Sequence, residues 1–155
     1  MPSNVTAKIK SAPKRVVLVA LLIMGIGASI LIVHHSIVNV RTLRVGGHAY
    51  TLDVARSPDA RAQGLGDRVS MPTNKGMLFV FDQPGIQCFW MKDMHFSLDM
   101  IWVSADKRIE HIESNVAPRT YPRTYCPDVP AAYVLELRAG QSGAVGLHKG
   151  QQLNF

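Results

Sequence analysis

Lys92 and Asp99 are the residues of this sequence that most invite chemistry, because each is a charge set in an apolar stretch. Lys92 lies in Phe89-Trp90-Met91-Lys92-Asp93-Met94 and Asp99 in Leu98-Asp99-Met100-Ile101-Trp102-Val103. Burying an unpaired charge is costly, so each calls for a partner or a ligand. In an extended strand Cys88, Trp90 and Lys92 fall on one face, and Phe89, Met91 and Asp93 on the other. Two assignments are open. Lys92 and Asp99 form a structural ion pair or mark strand ends at the surface, or they are the polar centre of a cleft. In the second case Trp90 supplies an apolar wall and Lys92 holds an anionic group of a ligand. A Pro-rich stretch, residues 114–132, brings Arg119, Tyr121, Arg123 and Tyr125, which suit an anionic or carbohydrate-like ligand. The candidate site is therefore Trp90, Lys92, Asp99, Arg119, Tyr121 and Arg123. Glu136 lies in a strand between Leu135 and Leu137, points away from both, and is expected to be solvated or paired with an Arg.

Other chemistries are weaker. Met91, Met94 and His95, with Met71, Met77, Met100 and His111, offer thioether and imidazole ligands of the kind Cu(I) prefers. Core filling is the commoner use of methionine, and Met91 and Met94 face opposite sides of a strand. There is no H-E-x-x-H and no G-x-S-x-G. Cys88 with His95 or His111 is a thiol-nucleophile pattern that competes with a disulfide. No metal site and no cofactor is assigned.

The elements that must position these residues read as short strands. Met77–Phe81, Ile86–Met91 and Leu98–Val103 are apolar runs of strand length, and four of the 5 Phe and both Trp of the chain fall in residues 76–103. Asp82-Gln83-Pro84-Gly85 reads as a tight turn between the first two. Upstream, Arg41–Val45 and Ala49–Ala55 flank Gly46-Gly47, a two-residue hairpin turn. Ser57-Pro58 offers an N-cap and a Pro at N1, and Gly64 a stop, for a short helix over Pro58–Gln63. Residues 65–75 read as a loop. Downstream, Arg108–Glu113 and Tyr133–Leu137 are strands. Residues 114–132 hold four prolines, which exclude helix and central strand. Ala139–Gly146 holds a single helical turn at most, and Gln151–Phe155 closes the sheet. The fold class is an all-β sandwich or barrel with one short helix.

The N-terminal third is of a different kind. Val16–Val33 is an uncharged apolar run spanning roughly 27 Å as a helix, close to the hydrocarbon thickness of a bilayer. A cleaved signal peptide is the rival, but Ile26 stands three residues before the available Ala28-Ser29 cleavage point. The expected organisation is a basic cytoplasmic tail over 1–15, a transmembrane anchor over 16–33, a linker over 34–41 and an extracytoplasmic β domain over 42–155. Lys8, Lys10, Lys14 and Arg15 before the run, against Arg41 and Arg44 after it, orient the N-terminus to the cytoplasm. Of the 17 Lys+Arg these four belong to the tail, leaving 13 against 11 Asp+Glu, so the basic balance does not indicate a nucleic-acid-binding face. The chain has 2 cysteines, Cys88 and Cys126, both on the expected outer side, where thiols are normally oxidised. A disulfide between them ties the Pro-rich loop to the central strands. In the chain-entropy picture, closing a loop of about 38 residues contributes on the order of 4 kcal/mol.

Gly64–Arg68 (GLGDR), Gly76–Phe81 (GMLFVF), Phe89–Met94 (FWMKDM), Leu98–Val103 (LDMIWV) and the YVLEL and AG of Tyr133–Gly140 occur in the order and at the spacing of a known family. Residues 42–155 resemble the domain of unknown function 192. That resemblance implies a compact, jelly-roll-like β domain, often exported or membrane-anchored, and no particular activity. Gly66 stands where the family commonly has Met, Asp93-Met94 where it has Asn-Thr, and Ser97 where it has Pro. The expected role is a cell-envelope binding or accessory module with no protein partner identified. The alternatives are an envelope enzyme acting on a carbohydrate-like or peptidoglycan-like substrate, and copper handling. The orientation has a direct test: protease added to intact spheroplasts should digest the domain after Val33, and protection from outside with exposure from the cytoplasmic side contradicts it.

Overall fold

The computed structural model describes residues 39–155. The expected basic tail, the anchor over 16–33 and the linker as far as residue 38 lie outside the described residues. The end of the expected linker belongs instead to the first strand, β1 (Val40–Val45), which forms a hairpin with β2 (His48–Ala55). Gly46 and Gly47 connect them with φ of 54° and 75°. Positive φ at both central residues is what this tight, strand-matched turn requires, and glycine supplies it without a Cβ clash.

Helix α1 (Pro58–Gln63) follows where the capping signals place it. The Ser57 hydroxyl accepts from the Ala60 amide at 3.2 Å, Pro58 needs no amide partner in the first turn, and Gly64 ends the helix at φ 52°. The chain then returns parallel to β2 as β3 (Lys75–Gly85). The expected turn over Asp82–Gly85 is not formed. These residues prolong β3, and Gly85 pairs with Ala131 after a register shift beyond Val80. Pro84 lies within the shifted stretch, where no ladder amide is asked of it, so the residue that suggested a turn is accommodated by an irregular strand.

The strand expected over Ile86–Met91 shrinks to β4 (Phe89–Trp90), because its partner is the equally short β7 (Thr124–Tyr125), not the main sheet. Next to this pair Cys88 and Cys126 are disulfide-bonded, with Cα atoms 4.3 Å apart, so the Pro-rich loop is tied where expected. β5 (Leu98–Val103) has the predicted bounds. β6 (Ile109–Val116) runs three residues further than predicted, through a register shift against β5 with Asn115 at φ 57°. β8 (Ala131–Arg138) precedes the single-turn helix α2 (Gln141–Ala144). The tail runs beside the start of β6, with a bridge from Arg108 to Gln152 and backbone bonds from the Ile109 amide to the Gln151 carbonyl and from the Gly150 amide to the Ile109 carbonyl.

Strands dominate, with a few short helices, as the all-β reading expects. The main sheet has the order β1-β2-β3-β8-β5-β6, and β4-β7 forms a separate pair. Strand alternation sends residues to two cores. Leu43, Leu52, Leu78, Ile101, Leu135 and Leu137 join Val145, Leu147 and Leu153 of the C-terminal segment on one face. Met77, Phe79, Met100, Trp102 and Val134 join Leu65, Met71, Met91 and Tyr125 on the other. β8 is thus buried on both sides and paired along both edges.

Asp99 belongs to the first face, away from Leu98, Met100 and Trp102. It is 0% exposed and accepts three backbone amides, Asn115 at 2.8 Å, Gly140 at 3.1 Å and Ser142 at 2.8 Å. One carboxylate thus satisfies the irregular amide of β6 and the first amides of α2. Asp99→Ala should therefore cost roughly 3–5 kcal/mol in urea unfolding, since buried N–H groups lose their acceptor. A loss below about 1 kcal/mol would contradict this role.

Candidate functional site

The second face of the sheet is not completely covered. Beside the packed methionines a cavity of about 670 Å³ opens between the sheet, α1 with the loop behind it, and β4 with the loop that follows. Alternation along β3 turns Phe79 and Phe81 to this face, and β4 contributes Phe89 and Trp90. The rings interlock edge to face. Phe79 and Phe89 have centroids 4.8 Å apart, Phe89 and Trp102 6.2 Å, and Trp90 and Tyr121 6.1 Å. Trp102 itself is buried, its indole N–H donating to the Gln87 carbonyl at 2.6 Å.

The rim is made of two loops that hold each other. The Asp67 amide donates to the Asp93 carbonyl at 2.9 Å. Asp67 and Asp93 have φ of 62° and 56°, a left-handed conformation that few non-glycine residues adopt outside turns and functional sites. Arg61 reaches across the rim from α1. Its guanidinium donates to the carbonyls of Arg56 and Val80 and lies 5.1 Å over the Phe81 ring.

Glu136 also lines the cavity. It stands on β8 opposite Met77 of β3 and Met100 of β5, and only 4% of its surface is exposed. Its carboxyl makes no side-chain hydrogen bond or ion pair among the described residues. Yet no sealed side-chain polar atom among them lacks a partner. Its oxygens therefore keep accessible surface, and the open space beside them is the cavity. Burial raises the pKa of this carboxyl to about 8.

The expected site residues separate. Trp90, 53% exposed, and Lys92 line the cavity, and Tyr121 of the Pro-rich loop packs against Trp90. Asp99 lies on the opposite face, occupied by backbone amides, so Lys92 and Asp99 are not a pair. Arg119 is exposed in a short 3-10 turn (Pro118–Thr120). Arg123 stacks on Tyr125, 4.7 Å from the ring. Neither arginine lines the cavity. Phe79, Phe81, Phe89 and Glu136 were not among the expected site residues. The expectation that Glu136 is solvated or paired with an Arg is incorrect, because β8 is a central strand whose neighbours on this face are methionines. A single acid in an apolar strand between two other apolar strands was the available signal.

The raised pKa fixes the sign of a pH dependence. Between about 4.5 and about 8 the folded chain keeps a proton on Glu136 that the unfolded chain has released, so this group lowers stability as pH rises through that window. Below it both states are protonated and the contribution vanishes. Glu136→Gln should therefore be more stable than the parent at pH 9 by roughly 3–5 kcal/mol, and about equally stable at pH 4. Parallel urea melts at the two pH values check this, and an equal difference at both would contradict it.

The comparisons with known proteins agree with the fold and carry no activity. A crystal structure of a protein from Sinorhizobium meliloti 1021, provisionally named a transcription regulator, superposes with a TM-score of 0.68 at 34% identity, covering 73% of this chain and 89% of that one. A protein of unknown function from Novosphingobium aromaticivorans DSM 12444 superposes with a TM-score of 0.70 at 27% identity, covering 75% and 85%. No functionally curated protein matches the chain. The sequence profile of DUF192, described as an uncharacterized family, matches residues 41–155, and the chain belongs to that family.

Proposed function

We propose that the chain is a membrane-anchored, extracytoplasmic binding module of the cell envelope whose ligand site is the aromatic cavity around Glu136. The observation that carries the site is a carboxyl set into the wall of an aromatic-lined cavity without a protein partner. A small ligand with an apolar body and a few polar groups fits such walls, which give affinity by burial and orientation by polar contact. The anchor and the outward orientation rest on the apolar run over 16–33 and the basic residues before it. The Cys88–Cys126 bond is in keeping with an oxidising compartment.

Binding is favoured over the envelope-enzyme reading because Glu136 is set deep among aromatic walls, while the other titratable groups of the lining, Asp59, Asp67, Lys92 and Asp93, are exposed at the mouth. Acid–base work calls for a second group in defined geometry with it. The copper reading loses most of its thioethers, since Met71, Met77, Met91 and Met100 are packed in the core and leave Met94 alone at the cavity.

Indole, a neutral aromatic of modest size, tests the site. Titrated into the labelled full-length chain, it should shift the NMR resonances of residues 64–67, 89–94 and 136 and leave those of Tyr50 and Asp99 unmoved. Trp90→Ala should weaken indole binding at least fivefold. Lys92→Met should leave the melting temperature unchanged, because its ammonium makes no ion pair among the described residues. No shifts at the cavity, or shifts indifferent to Trp90→Ala, would overturn the site assignment.

A further inference from the structure

The sign of charge that the cavity accepts can be read from its lining. Three exposed carboxylates stand at the mouth, Asp59 on α1, Asp67 behind it and Asp93 after β4, none in an ion pair among the described residues. Two cations face them. Arg61 is occupied by two backbone carbonyls and by the Phe81 ring, which leaves the exposed ammonium of Lys92. The neighbouring pair on the same face, Asp53 of β2 with Arg68, closes on itself at 2.8 Å. Arg138, two residues along β8, is turned to the Met71 carbonyl at 3.4 Å. Carboxyl groups therefore outnumber available cations around the opening, and the deepest polar group is a carboxyl as well.

The walls point the same way. Aromatic rings present a negative face, and rings around a carboxylate make a surface that attracts a cation bearing hydrocarbon. An anion would meet four carboxyl groups with one free ammonium to offset them, three at the solvated mouth and Glu136 in the less polar interior, where repulsion is screened least.

We propose that the cavity binds an organic cation, an ammonium on an aryl or alkyl body, with its charge against the Glu136 carboxylate and its body against the wall formed by Phe79, Phe89 and Trp90. This rests on the cavity being the ligand site, and it fixes which ligands that site takes. Lys92 at the rim then tunes affinity by repulsion and is not the anchor of an anionic group. Binding drives a proton off Glu136, because an ammonium is held by the ionised carboxylate and not by the acid. Below about pH 8 the empty cavity holds that proton, so affinity should rise about tenfold per pH unit up to that point and level off above it.

Three probes of similar size and different charge decide the matter: benzylamine, benzyl alcohol and benzoate, titrated calorimetrically into the full-length chain in a nonionic detergent. Benzylamine should bind at least tenfold more tightly than benzyl alcohol, and benzoate most weakly. At pH 7, buffers of different ionisation enthalpy should reveal release of about one proton with benzylamine and none with the alcohol. Glu136→Gln should bring benzylamine down to the level of the alcohol and abolish the proton release. Equal or tighter binding of the alcohol or of benzoate, or benzylamine binding unaltered by Glu136→Gln, overturns the charge assignment while leaving the cavity as a ligand site. Failure of all three probes to bind overturns the cavity reading and this inference with it. Should Glu136→Gln not fold, the parent's pH profile for benzylamine stands in for it, and a flat profile overturns the proposal.

Discussion

β8 is hydrogen-bonded along both edges, to β3 and to β5, and buried on both faces, so every other part of the domain takes its place from this strand. Such a strand has no solvated side on which to place a polar residue. The hairpin β1–β2 extends the sheet from β3, and β6 extends it from β5. The C-terminal segment covers one face and the α1 loop with β4 and β7 covers the other. The close approach of β3 to β8 also explains Gly76. A Cβ there would lie 2.6 Å from the Glu136 carbonyl oxygen, nearer than real contacts allow.

Within this doubly buried sheet, two acidic residues on neighbouring strands have opposite fates. Asp99 faces the C-terminal segment and accepts three amides, which compensate its charge by hydrogen bonding and hold α2 and β6 in place. Glu136 faces the other way and finds methionines beside it and open space ahead. The same physical cost of burial is met in one case by backbone and in the other by holding a proton. The first is architecture, and the second leaves a protonated acid in the wall of the cavity.

Much of this was legible in the residues. The hairpin at Gly46-Gly47, helix α1, β5 and the cysteine pair follow from local chemistry: turn glycines, a capped helix start, an unbroken apolar strand and two thiols with no other partner. What was not legible depends on pairing across distance. Pro84 looked like a turn because its strand tolerates an irregular stretch only once Gly85 has found Ala131. Asp99 looked like the partner of Lys92 because both interrupt apolar runs, yet the face it occupies is decided by alternation within β5 and by the amides of β6 and α2. Glu136 looked solvated because a period of two ordinarily sends polar residues to water, and only the neighbours on both sides of β8 reveal otherwise.

The bond between the Asp67 amide and the Asp93 carbonyl has a consequence for the entropy of the cavity entrance. The two rim segments come from distant parts of the chain, one behind α1 and one after β4, and this single backbone bond joins them across the entrance. Neither can swing away without breaking it, so the opening is ordered by folding itself. Its conformational entropy is lost in advance, so under the proposed binding role a ligand would meet a preorganised mouth and would not bear the cost of closing a lid.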